Sequence, residues 1–348
     1  MIENRAPTPW KPAPGTLTAI PRAQLASAFD APRLVVTIDT EEEFDWTRPL
    51  SRANVAVANI AAQPRAQAVF RPRGVVPTYV VDHPVVADPA GAAVMRDFAA
   101  AGEALIGAHL HPWVTPPDTE AVTPLNSYAG NLPGGLERAK LRRLTAAIER
   151  TTGVRPRVYK AGRYGFGPDT AGTLAALGYT VDASMVARTA FTGDGGPDYT
   201  DLSADPAWLD GPGRLLELPL TAGFTGLARA AGPPAFARLS APWATRLHLP
   251  GVLARTRLLE RVRLSPEGTT LGEMKRLTRA LRADGLRVFH LAYHSSTLLP
   301  GGSPYASDAA DVAAFLDRLA GYLDFFFDEI GGTAATPLDI CSALGGRA

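Results

Sequence analysis

Two histidines, His109 and His111, stand one residue apart at the end of a short apolar run, residues 104–108, with Pro112 immediately after them. Side chains at i and i+2 of a strand share a face, and proline stops a strand. The pair therefore aims at one point beyond the strand's carboxyl end. Two neutral imidazoles there suit a zinc-like cation, and a catalytic ion needs a third protein ligand and an open position. Upstream, the β-branched run 33–38 leads into Asp39-Thr40-Glu41-Glu42-Glu43-Phe44-Asp45-Trp46. Asp39 and Glu41 share the same i, i+2 relation. One carboxylate can hold a metal while the other stays free to take a proton.

Two further segments carry polar chemistry. The run 158–165 ends a strand with Lys160, Gly162, Arg163, Tyr164 and Gly165. A backbone N–H exposed at such a glycine turn is an oxyanion donor, and a basic side chain beside Asp39 would set its pKa. In the run 287–296, His290 and His294 share a face. His294 lies at the strand end and faces the cleft, whereas His290 lies deeper and reads as a hydrogen-bonded core histidine. His83 and His248 fall in irregular stretches and receive no role. Trp46, Trp113 and Tyr128 lie near the predicted cleft, where each ring can stack on a flat ligand face or simply pack as an amphipathic ring, and Asn126 and Asn131 offer amides in the same loop.

These residues need a scaffold that gathers strand ends. Short β-branched runs centre on Val36, Tyr79, Ile106, Val158, Thr180, Leu216 and Phe289, and they alternate with helical patterns near 52–63, 89–102, 134–152, 168–177, 233–262, 268–284 and 308–329. That alternation implies parallel strands joined by crossovers, with active-site residues at the carboxyl ends. Seven strands approach a (β/α) barrel. Residues 1–30, rich in Pro and Ala, read as an N-terminal extension. Residues 31–348 read as one catalytic domain, with a loop-and-helix insertion at about 190–266 decorating one rim. The 348 residues carry a formal net charge of +1, which argues against a broad nucleic-acid footprint. Cys341 is the only cysteine, so there is no internal disulfide. Neither a signal peptide nor a membrane span is legible, and the expected location is cytoplasmic.

Five segments in order resemble the polysaccharide deacetylases, metal-dependent hydrolases that remove acetyl groups from sugars. They are Thr37-Ile38-Asp39-Thr40-Glu41, His109-Leu110-His111-Pro112, Lys160-Ala161-Gly162-Arg163-Tyr164-Gly165, Gly178-Tyr179-Thr180-Val181-Asp182-Ala183-Ser184, and Tyr293-His294-Ser295-Ser296. The resemblance runs from about Arg33 to Thr333. It is nearest to a bacterial branch met near lipopolysaccharide and exopolysaccharide synthesis, on the strength of Glu43-Phe44-Asp45-Trp46 and Asn131-Leu132-Pro133. It implies an α/β fold, a deformed (β/α) barrel of about seven parallel strands. It further implies Asp39 as general base, His109 and His111 as metal ligands, the Tyr164 backbone N–H as oxyanion donor, His294 as general acid and Asp182 as the acid that orients it. Three positions depart from the family pattern. Thr40 stands where a metal-binding aspartate is usual, which leaves Glu41 as the third ligand. A single residue separates the histidines, and Lys160 occupies the usual arginine position, with Arg163 close by. The implied cofactor is a divalent metal, zinc with cobalt or nickel as alternatives, and the implied partner is an acetylated sugar or glycan. A cyclic amide or imide hydrolase on the same fold is the alternative enzyme, and a non-catalytic glycan-binding protein on a decayed scaffold is the alternative class.

Overall fold

The computed structural model describes residues 9–209, 215–239, 246 and 248–347. Its strands are β1 (Leu17–Ala19), β2 (Arg33–Thr40), β3 (Thr78–Val81), β4 (Leu105–Leu110), β5 (Val158–Ala161), β6 (Val181–Asp182), β7 (Thr189–Ala190), β8 (Asp198–Tyr199), β9 (Ala207–Leu209), β10 (Leu215–Glu217), β11 (Ala222–Thr225), β12 (Glu260–Arg263), β13 (Val288–His294) and β14 (Thr333–Ala334). The order β10-β6-β5-β4-β3-β2-β13 forms a run of parallel neighbours, joined by crossovers that place helices outside. All seven strand centres expected from the sequence fall on or directly beside these strands. The two end strands, β10 and β13, share no ladder. They are stitched instead by single contacts: the Thr221 N–H donates to the His290 carbonyl (3.1 Å), and the His290 Nδ1 meets the Leu218 carbonyl (3.0 Å). This is a deformed (β/α) barrel.

Alternation along the strands sorts the core into two compartments. Leu34, Val36 and Ile38 of β2 belong to the large outer apolar cluster, to which the helix Gly134–Thr152 contributes Leu141, Leu144 and Ile148. Val35, Val80, Val158, Val181, Leu216 and Val288 form a separate apolar layer, closed below by Ile340 and Cys341 of the helix Pro337–Ala343. One pleat further along the same faces, the side chains turn polar: Val35 gives way to Thr37 and Asp39, Val158 to Lys160, Val288 to His290 and then His294. The His290 Nε2 lies 2.8 Å from the Thr37 hydroxyl. The barrel interior thus changes from valine at its amino end to titratable groups at its carboxyl end.

The antiparallel strands β9 and β1 continue the sheet beyond β10, so residues of the N-terminal stretch pair with the barrel edge. The stretch 190–266 supplies framework as well as rim, since β10 lies within it. It also holds the two-stranded ribbon β11–β12, with Ala222 opposite Arg263. Among the described residues, no helix is long and apolar enough to cross a membrane.

Candidate active site

Strand register builds the site. In the β2–β13 pair Asp39 lies directly opposite His294, and in the β4–β5 pair His109 lies opposite Lys160. The Lys160 ammonium donates to Asp39 Oδ1 at 2.6 Å, and His294 Nε2 lies 3.7 Å from Asp39 Oδ2. Both Lys160 and Asp39 are buried. Burial pushes the Asp39 carboxyl up, but the Lys160 ammonium, by its charge and its hydrogen bond, outweighs it and holds the group well below the usual carboxylate range. Asp39 is therefore ionised at any working pH.

Glu41 and the two histidines form a second triangle. Glu41 Oε2 lies 3.5 Å from His109 Nε2 and 3.4 Å from His111 Nε2. The opposite ring nitrogens are committed. His109 Nδ1 meets the Lys160 carbonyl at 2.8 Å, and His111 Nδ1 meets Glu42 Oε2 at 2.7 Å. A carbonyl can only accept, so the His109 proton sits on Nδ1 and its Nε2 lone pair faces Glu41. Burial lowers both imidazoles, His111 to about 4, so both are neutral and keep a lone pair for a ligand bond. Burial, with Glu42 and Asp39 nearby, pushes Glu41 well above its usual value, and its Oε1 has no hydrogen-bond partner.

A buried acid with an orphaned oxygen, two neutral imidazoles aimed at it and a committed outer nitrogen on each ring fit a divalent cation held by Glu41, His109 and His111. A neighbouring group, Glu42, Asp82 and His111, also has ligating atoms close together. There the His111 Nδ1 is already taken by Glu42, so that group supports the first. Glu42 Oε1 accepts the Trp113 indole N–H at 2.7 Å, Trp113 stacks on His111 at 4.1 Å between ring centroids, and the Glu42 backbone N–H donates to Asp82. Thr40, on the alternate face, donates back to the Ile38 carbonyl and is not a ligand.

Gly162 closes the floor. A Cβ at this position would sit 2.2 Å from His111 Cδ2 and 2.7 Å from the Leu110 carbonyl. Gly162→Ala is expected to displace the His111 ring, cost about 1–3 kcal/mol of stability through overpacking and weaken divalent-metal binding, as read by thermal unfolding and metal titration of the same sample.

The groups open into a cavity of about 420 Å³ lined by Phe44, Trp46, Trp113, Tyr128, Tyr164 and Tyr305, among others. Trp46 stands edge-on to His294 at 4.9 Å. The backbone at Arg163 and Tyr164 has φ of +54° and +61°, a sharp turn that carries Tyr164 from the end of β5 to the cavity wall.

Three roles expected from the sequence need correction. Asp182 does not reach His294. It pairs with Glu217 across the β6–β10 register and accepts from Ser184 at 2.5 Å. The acid on His294 is Glu267: its Oε2 lies 2.8 Å from Nδ1, and its Oε1 accepts the His294 backbone N–H (2.9 Å) and the Thr297 hydroxyl (2.6 Å). Twenty-seven residues separate Glu267 from His294, and no short spacing links them. The one signal was an acidic residue in a Ser-Pro-Glu-Gly turn entering the final βα unit. Likewise, Arg163 does not serve Asp39. It bonds Ser127 and Asp194 and lies over the Tyr128 ring at 4.4 Å, leaving the aspartate to Lys160. Asn126 and Asn131 spend their amides on the Ala121, Leu125 and Gly195 carbonyls, so they pin the loop. Glu42 was not singled out from the sequence, because an acidic run gives no hint of which member turns inward.

No protein-family model and no curated protein matches the chain. Solved structures do share its fold. A Mycobacterium smegmatis protein classed provisionally as a polysaccharide deacetylase is 18% identical over 97% of this chain and 94% of its own, at a TM-score of 0.50. The chitin deacetylase of the fungal pathogen Colletotrichum lindemuthianum is 14% identical over 92% of this chain and 90% of its own, at 0.42. A CE4-family pseudoenzyme from Bacillus anthracis is 10% identical over 92% and 68%, at 0.44. The first of these carries the likeness of fold, a (β/α) barrel of the polysaccharide-deacetylase kind.

Proposed function

We propose that the chain is a metal-dependent hydrolase of the polysaccharide deacetylase family that removes an acetyl group, most simply from nitrogen, from a sugar of a bacterial surface-glycan pathway. One observation supports this above the others: a buried Glu–His–His triangle with free Nε2 lone pairs lies against an ionised aspartate and a carboxylate-held histidine at the mouth of one cavity. The intact ligand triangle favours catalysis over a decayed glycan-binding scaffold.

Glu41, His109 and His111 would hold the cation, which when bound supplies Lewis acidity toward the acetyl carbonyl and the attacking water. The residues do the rest. Asp39 accepts the water proton as the oxygen attacks the carbonyl carbon. Lys160 keeps Asp39 ionised beforehand and compensates its buried charge. The Tyr164 backbone N–H stabilises the charge that gathers on the carbonyl oxygen. His294, held at Nδ1 by Glu267, delivers a proton from Nε2 to the departing amine as the C–N bond breaks, releasing acetate and a free amino sugar. The aromatic walls exclude water from the sugar faces.

The direct test is acetate release from N-acetylated chitooligosaccharides, with and without chelation. Chelator treatment is expected to abolish release, and zinc or cobalt to restore it at one ion per chain. Metal analysis should lose that ion when both His109 and His111 are replaced by alanine. Undiminished acetate release from a protein stripped of metal would refute the reading.

A further inference from the structure

The catalytic cavity does not end at its aromatic wall. A second hollow of about 480 Å³ opens beside it, and Phe191, Arg263 and Tyr305 line both. Both volumes are in the range of small-molecule sites. Arg263 therefore stands at the threshold, placed there by the β11–β12 ribbon. Its Nη1 donates to the Tyr164 hydroxyl at 3.2 Å, and the Tyr305 hydroxyl is its other polar neighbour. Among the described residues, no carboxylate lies within ion-pair distance of it.

The surrounding charges show why this cation differs from its neighbours. Arg48 and Arg163, on the same cavity wall, are neutralised by Asp45 and Asp194. Glu267, the acid whose charge acts on Arg263, has both oxygens engaged by His294 and Thr297, while Glu260 and Glu273, which also line the second hollow, are taken by Arg276 and by Thr270. A guanidinium offers five donors in a planar fork suited to carboxylate or phosphate, and two phenol oxygens leave most of that capacity unused. We propose that Arg263 reads an anionic group, a carboxylate or a phosphate, on the sugar unit next to the acetylated one, so that the substrate is an acidic glycan of at least two units spanning both hollows. The proposal rests on the deacetylase reading and names its substrate class.

Calorimetric titration of the full chain at low ionic strength, with disaccharides of N-acetylglucosamine joined to glucose, glucuronate or glucose 6-phosphate, tests it. Acetate release is followed separately. At least one charged disaccharide should bind about ten-fold or more tightly than the neutral one, and the tighter of the two identifies the anion. Added salt should weaken only the charged ligands. Arg263→Met should bring the charged disaccharides down to the affinity of the neutral one, and Arg263→Lys should keep part of the preference. A purely structural arginine would not produce that split. Equal or absent binding of all three, a preference that survives Arg263→Met, or loss of neutral and charged binding in equal proportion would overturn the assignment. A charge preference without acetate release would instead refute the deacetylase reading and leave the anion site standing.

Discussion

Asp39→Asn is expected to lower the turnover number by about three to four powers of ten, the upper part of what a positioned general base contributes. Asparagine keeps the volume and both heteroatoms but cannot take a proton. The same change removes the counter-charge of Lys160, which is fully buried and donates to Asp39 at 2.6 Å. Breaking one side of a buried pair costs about 3–5 kcal/mol because the remaining charge is stranded, so the single variant should also melt early. The two effects separate in the double variant Asp39→Asn, Lys160→Met. Removing both buried charges should return most of the stability and none of the activity. Measured kcat, bound metal and unfolding midpoints on the wild type and both variants decide the matter. A double variant that recovers activity along with stability would show that Asp39 acts on the fold and not on the reaction.

Electrostatics also explain why the site asks for a cation. Asp39, Glu41, Glu42, Asp82 and Glu267 are all buried within one region, and Lys160 is the buried ammonium ion-paired among them. Asp39 and Glu267 have cationic or donor partners, and each is held below its ordinary value. Glu41, Glu42 and Asp82 are pushed up, burial being the largest cause in each. Two of these three, Glu42 and Asp82, share hydrogen bonds with each other, His111 and Trp113. Glu41 alone keeps an oxygen with no partner. The carboxylate whose ionisation is least compensated by the protein is thus the one that faces two imidazole lone pairs, where a cation would supply the missing charge.

The framework was readable because each parallel strand is a short, continuous apolar run, as burial on both faces requires. The inward residues at their ends, Asp39, Glu41, His109, His111, Lys160 and His294, could be found by counting in twos from those runs. What resisted reading lies where no periodicity operates. Glu267 arrives on a turn after the β11–β12 ribbon, and its approach to His294 depends on how Leu264 and Thr221 tie that ribbon to β13. Asp182 occupies the expected strand end, yet its neighbour across the register is Glu217. A two-residue strand gives no indication of its partner. The choice between Lys160 and Arg163 turned on backbone conformation: the left-handed turn at Arg163 sends its side chain to Asp194 and Tyr128, while Lys160 remains on the regular strand and points into the barrel.

That difference between Glu267 and Asp182 sets up the sharpest contrast available by mutation. Glu267→Ala removes the acceptor for His294 Nδ1 and for the His294 backbone N–H in one step. The ring then loses the hydrogen bond that fixes its orientation, and the strand end loses the acceptor that pins its backbone. A fall in kcat of about two to three powers of ten is expected, within the range of acid catalysis by a positioned group, with bound metal unchanged because Glu267 is not among its ligands. Glu267→Gln should recover part of the orientation, since its amide oxygen can still accept from Nδ1, and should fall between the alanine variant and the wild type. Asp182→Asn, by contrast, acts on a buried carboxyl pair with Glu217, and burial holds both of those groups above their usual values. Neutralising one member of that pair relieves like-charge crowding, so the variant should keep kcat within about three-fold of the wild type, the scale of a change that touches no reacting group. If Asp182→Asn instead lost about two to three powers of ten in turnover while the Glu267 variants stayed active, Asp182 would be the residue that orients His294 and the contact at Glu267 merely structural.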